Sequence, residues 1–102
     1  MFFLIKNQIW KIQFVNPYSP YLLMPNKIFT LGVTDNQRKT IYISQDLSKQ
    51  LLWKVLCHEI VHAFCFEYNY ILDLEFEEFL ADFISSYGTE IINITNYIFK
   101  GI

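Results

Sequence analysis

His58-Glu59-Ile60-Val61-His62 lies inside a run, Val55 to Phe66, that is apolar almost everywhere else. In a helix, residues four apart sit about one turn from each other on the same face. The two imidazoles of this stretch can therefore close on one metal ion. The glutamate between them sits beside that ion, placed to take a proton from a metal-bound water. Both histidines of the chain are spent on this motif. A helix apolar on nearly every side belongs at the centre of a domain. Polar groups held there need partners, and a metal supplies them. The plainer alternative is a pair of core histidines with local hydrogen bonds, and a buried Glu59 paired with Lys54 or Arg38.

Outward from the motif, the helix should run from about Leu47 to Tyr68, capped by Ser44, Asp46 or Ser48. Before it, Ile28 to Val33, the polar turn Asp35 to Lys39, and Thr40 to Ile43 read as a hairpin. Residues 2–15 alternate and favour strand. Asn16-Pro17-Tyr18-Ser19-Pro20 and Pro25-Asn26 signal loops. After the motif helix, Asn69 to Leu72 is a connection, and Asp73 caps a second helix from about Leu74 to Tyr87. Phe76, Phe79, Leu80, Phe83, Ile84 and Tyr87 form its apolar stripe. Gly88 breaks or bends it, and Ile91 to Phe99 is a last helix or its continuation. The expected fold is α+β: one domain over residues 1–102, with a small antiparallel sheet packed on the metal-binding helix and a second helix across the site.

Composition narrows the function. The chain has 102 residues, 53% hydrophobic and 19% aromatic, enough for a core at this length. Net charge is −2 with no basic patch, which disfavours nucleic acid as a partner. No apolar run is long enough to span a membrane, and Met1 to Lys6 lacks the basic flank of a signal peptide. Cys57 and Cys65 fall on one helix about 12 Å apart, too far for a disulfide, so a reducing cytoplasm is expected. Cys65 follows His58 by seven residues and is conceivable as a thiolate ligand; its plainer reading is a small buried hydrophobe. Frequent Ile, Asn, Phe, Tyr and Lys suit an AT-rich bacterial or phage genome.

A catalytic zinc site has three protein ligands and one open position. No histidine remains for the third, which leaves the acids of the second helix: Glu75, Glu77, Glu78 and Asp82. Glu78 could bind the metal while Asp82, one turn on, accepts a hydrogen bond from the free nitrogen of His58. On a helical wheel Glu75, Glu78 and Asp82 fall together, away from the apolar stripe, as a merely solvated face would. Glu77 borders the stripe and is the alternative ligand.

H-E-x-x-H followed by E-x-x-x-D on a second helix resembles the gluzincin pattern of thermolysin-like peptidases. The hairpin leading into the motif helix is similar to that of small bacterial and phage metallopeptidases of ImmA/IrrE type. These often carry Glu-Ala-Asn or Glu-Ala-Asp where this chain has Leu80-Ala81-Asp82. The resemblance covers about residues 28–88. It implies one Zn2+ per chain on His58, His62 and Glu78, with Glu59 as general base and Asp82 orienting His58. Manganese or iron would also suit the donors. The implied activity is peptide-bond hydrolysis by metal-activated water, on a peptide or protein substrate. An extended substrate would add to a sheet edge, for which Thr40 to Ser44 is the candidate. Arg38, Tyr42, Tyr68, Tyr70, Tyr87 and Tyr97 are available to stabilise an oxyanion. Two rival readings stand beside this one: a non-catalytic domain stabilised by metal, and an interaction module whose aromatics form a partner surface.

Overall fold

The computed structural model describes all 102 residues. Lys6 and Asn7 both adopt positive φ (49° and 67°), so the chain reverses there. This two-residue reversal is the geometry that matches the twist of paired strands. The alternating stretch 2–15 is therefore a hairpin of β1 (Phe2–Ile5) and β2 (Gln8–Val15). A second hairpin, β3 (Gly32–Asp35) and β4 (Thr40–Ser44), forms where the polar turn signalled it. The expected strand from Ile28 loses its first half. Residues 22–30 fold back on themselves instead, with Thr30 N–H donating to the Leu22 carbonyl at 2.9 Å and Met24 N–H to that of Ile28 at 3.0 Å.

The hairpins join through their second strands, and this corrects the expectation of a wholly antiparallel sheet. β2 and β4 run parallel, with Lys11 opposite Thr40 and Val15 opposite Ser44, and the strand order is β1-β2-β4-β3. Parallel pairing needs a long crossover, which the proline-bearing stretch Asn16 to Leu31 and the antiparallel return through β3 together supply. It also makes β4 an interior strand, buried at every residue. Thr40 to Ser44 is thus no sheet edge; the edges are β1 and β3.

The remaining elements are α1 (Lys49–Glu67) and α2 (Leu74–Lys100). Of the three possible caps, Ser48 is the one used: its hydroxyl accepts from Leu51 N–H at 3.3 Å. Asp73 caps α2 by accepting from Phe76 N–H at 2.8 Å. α2 runs unbroken through Gly88, a residue that a helix interior tolerates at about 1 kcal/mol. The fold is α+β. Its core joins Ile5, Trp10, Ile12, Ile41 and Ile43 of the sheet to Ala63 of α1, with Leu52, Val55, Leu56 and Ile60 packed around them. α2 meets α1 through Ala81, which packs with Val61 and Cys65. Its aromatic residues Phe76, Phe79, Phe83 and Tyr87 face solvent. No helix is long and apolar enough to cross a membrane.

One polar clasp ties the end of α1 to the sheet. Trp10, fully buried, donates its indole N–H to Glu67 Oε1 at 2.9 Å, and Lys39 Nζ donates to the same oxygen at 2.7 Å. The bond from Lys39, with help from Trp10, holds the Glu67 carboxyl below its usual range. A depressed carboxylate pKa stabilises the fold above the unfolded-state value and loses that contribution as pH falls through the folded one. Glu67→Gln is therefore expected to lower Tm by about 5 °C at neutral pH. The gap to wild type should close as pH drops below the ordinary glutamate value, in thermal melts followed by circular dichroism.

Candidate metal centre

The helical period of α1 brings His58 and His62 together, with ring centroids 4.9 Å apart. Their Nε2 atoms converge on one carboxylate of α2. Glu78 Oε1 lies 2.8 Å from His62 Nε2, and Glu78 Oε2 lies 3.2 Å from His58 Nε2. One donor atom from each of the three residues falls within 4.8 Å of the others. The Nδ1 atoms point to different acids: Asp82 Oδ1 at 3.0 Å from His58, and Glu77 Oε2 at 3.2 Å from His62. Glu75 is exposed and takes no part.

Charge and proton accounting ask for a cation here. If each imidazole is neutral and donates Nδ1–H to its carboxylate, each Nε2 turns a lone pair toward the acceptor oxygens of Glu78. Acceptor facing acceptor is repulsive unless a positive charge lies between. Four carboxylates, those of Glu59, Glu77, Glu78 and Asp82, surround the imidazoles, and no lysine or arginine forms an ion pair with any of them. Two imidazole nitrogens and a carboxylate suit a divalent transition ion, and acids on the outer nitrogens are what fixes such ligands in orientation.

Glu59 is buried, at 8% exposure, with Oε2 4.0 Å from His58 Nε2. Neither Lys54 nor Arg38 pairs with it; Arg38 binds Asp35 at 3.1 Å. Its partner is Thr34 on β3, whose hydroxyl lies 2.9 Å from Glu59 Oε1 and 3.0 Å from the Glu59 carbonyl. Burial pushes the Glu59 carboxyl up, against the pull of His62, the Thr34 hydroxyl and His58. Gly32 is two residues earlier on the same strand face. A Cβ there would meet Glu59 Cγ and Val55 Cγ1, each at 2.9 Å, so only glycine lets β3 lie this close to α1.

Thr34 and Gly32 were not among the residues the motif singled out. A glycine inside an apolar strand is the signal that could have found them, since it marks close approach of another element. Cys65, the conceivable thiolate, is buried beside Ala81. Burial, and then the neighbouring Glu77, push its thiol up and keep it protonated. None of Arg38, Tyr42, Tyr68, Tyr70, Tyr87 and Tyr97 lines the cleft of about 370 Å³ over the histidines. Gly32, Val33 and Thr34 of β3, with Thr30 just before it, form one side, and Met24, Phe66 and Leu74 add apolar surface.

Thr34→Val keeps the shape of the side chain and leaves a buried carboxylate short of a donor. It is expected to cost about 1–3 kcal/mol in denaturant unfolding. Thr34→Ser, which keeps the hydroxyl, should recover most of that loss.

No curated protein and no solved structure matches the chain. A model of the IrrE N-terminal-like domain, peptidase family M78, matches residues 25–97, from the loop before β3 to near the end of α2. That span holds both histidines, the acids of α2 and the strand that contacts Glu59. The chain belongs to the M78 peptidase family, through its IrrE N-terminal-like domain.

Proposed function

We propose that this chain is a single-domain, zinc-dependent peptidase of a reducing, cytoplasmic setting. His58 Nε2, His62 Nε2 and Glu78 would hold one ion per chain. Asp82 and Glu77 would fix the two rings through their Nδ1–H groups; on this reading Glu77 is a partner of His62 rather than the alternative ligand. A bound zinc supplies Lewis acidity toward a carbonyl and makes a water acidic near neutral pH. Glu59 would accept that water's proton on its carboxylate and pass it to the leaving amine. Thr34 would keep the carboxylate aimed while it does so. The observation that carries the reading is Glu78 reaching both Nε2 atoms while separate carboxylates take both Nδ1 atoms.

A substrate would lie extended along β3, which pairs only with β4 and leaves its other side free beside the cleft. This replaces Thr40 to Ser44 as the docking edge, and main-chain hydrogen bonds would set the register. The free thiols Cys57 and Cys65 suit a reducing compartment. One observation favours a second reading, a metal-stabilised domain that binds partners without cleaving them. The cleft over both histidines has no tyrosine, arginine or lysine to steady an oxyanion; Lys54 lines only the adjoining hollow beside His58, Glu59, Glu78 and Asp82.

Metal analysis of the purified protein and its variants tests the assignment. Wild type should carry one zinc per chain, and His58→Ala and Glu78→Ala should lose it. Glu77→Ala should keep zinc with affinity about 10–100-fold weaker. Glu59→Gln should keep zinc and abolish cleavage of a peptide library read by mass spectrometry. Zinc retained in Glu78→Ala would sink the ligand set. Zinc bound as expected, with no cleavage by wild type, would favour the non-catalytic reading.

A further inference from the structure

α2 faces the domain with the wrong side, by the usual logic of amphipathic helices. Its acidic and small residues, Glu77, Glu78, Ala81, Asp82 and Ser85, turn toward α1. Leu80 and Ile84 of its apolar stripe pack on the α1 side, but the rest turns outward: Phe76, Phe79, Phe83, Tyr87, Ile91, Ile94 and Ile98 are each between 41% and 61% exposed. These residues recur at three- and four-residue steps and so form one ridge along the helix. The ridge is about 33 Å long. Phe76, Phe79, Phe83 and Tyr87 follow one another along it with ring centroids 6.5, 6.0 and 5.4 Å apart.

We propose that this ridge is the interface between two copies of the chain. Its exposed side chains amount to roughly 700 Å², near the ~800 Å² that each partner buries in a standard interface and beyond the usual largest patch of a monomer. The ridge is self-complementary. A two-fold axis near Tyr87 sets the aromatic half, Phe76 to Phe83, of one helix against the aliphatic half, Ile91 to Ile98, of the other. The helices then run antiparallel, which also opposes their macrodipoles favourably.

Charge points the same way. From Phe83 to Phe99 the only charged residue is Glu90, a neighbour of Tyr87 and Ile94 on the ridge, so each copy brings a single charge to the contact. A lipid surface calls for lysine or arginine flanking the apolar stripe. α2 has a single lysine, Lys100, and five acids, Glu75, Glu77, Glu78, Asp82 and Glu90. Beside the ridge, Trp53, Cys57, Ile84, Gly88, Ile91 and Ile92 border an apolar hollow of about 540 Å³. It lies against the far half of α2, away from the histidines, and gives large side chains of a second copy a place to enter. Glu78 and Asp82 sit on the opposite side of α2, so pairing through the ridge leaves the metal centre open.

Sedimentation velocity over a micromolar to high-micromolar series is the test. Wild type should pass from monomer to dimer. Phe79→Glu with Tyr87→Glu should weaken the dimer by about 100-fold or more. Both positions are more than half exposed, so their circular dichroism should match wild type. Ile98→Arg, in the last turn of α2, repeats the test should the double variant misfold. Phe2→Glu with Leu4→Glu, on the exposed β1 edge, should leave the dimer intact. A wild type that stays monomeric throughout, a dimer lost only with the β1 variant, or monomers that float with anionic phospholipid vesicles would each overturn the proposal.

Discussion

Two imidazoles on α1 and three carboxylates on α2 dictate how the helices meet. His58 and His62 present four ring nitrogens, and Glu77, Glu78 and Asp82 engage all of them at 2.8–3.2 Å. That match decides the rotation of α2 about its own axis. Hydrophobicity alone would turn Phe76, Phe79, Phe83 and Tyr87 inward, since burying each large side chain is worth about 1.5–3 kcal/mol. The helix does the opposite. A divalent ion held by these groups would explain why the polar arrangement wins, because structural zinc contributes on the order of 10 kcal/mol to folding. The outward ridge is the consequence, and it is also the surface that a second copy would cover.

The sheet serves the same centre from the other side. Parallel pairing of β2 with β4 places β4 in the interior and leaves β3 at the edge, beside Glu59. Gly32 removes the side chain that would push β3 away from α1, and Thr34 then reaches the Glu59 carboxylate at 2.9 Å. At the end of α1 the clasp of Trp10 and Lys39 on Glu67 ties helix to sheet. The motif helix is thus fixed at its centre and at its C-terminal end.

Much of this was legible from residue order. The motif carries its own geometry, because four-residue spacing on a helix needs no tertiary information. Asp73 and the polar turn before Thr40 mark their elements through local hydrogen-bond chemistry, and the structure keeps both. What failed was non-local. Alternation over residues 2–15 cannot show that Lys6 and Asn7 reverse the chain, since neither is glycine. No local pattern says that β2 will pair with β4 in parallel, so Thr40 to Ser44 read as an edge. The wheel of α2 separated its acids from its aromatics correctly. Which side faces inward depends on a partner helix that the wheel does not contain. Glu77 was weighed only as a metal ligand, because its contact with His62 Nδ1 needs both helices in place.

His58 Nε2, His62 Nε2 and Glu78 are proposed to enclose one divalent ion, with the Nδ1 atoms reserved for acids. Anomalous diffraction at the zinc edge, from crystals grown with zinc, tests it directly. A single anomalous peak within bonding distance of both Nε2 atoms and a Glu78 oxygen is expected, with Asp82 and Glu77 still on the Nδ1 atoms. A peak bound through Nδ1 or through Glu77, or no peak between the histidines, would contradict it.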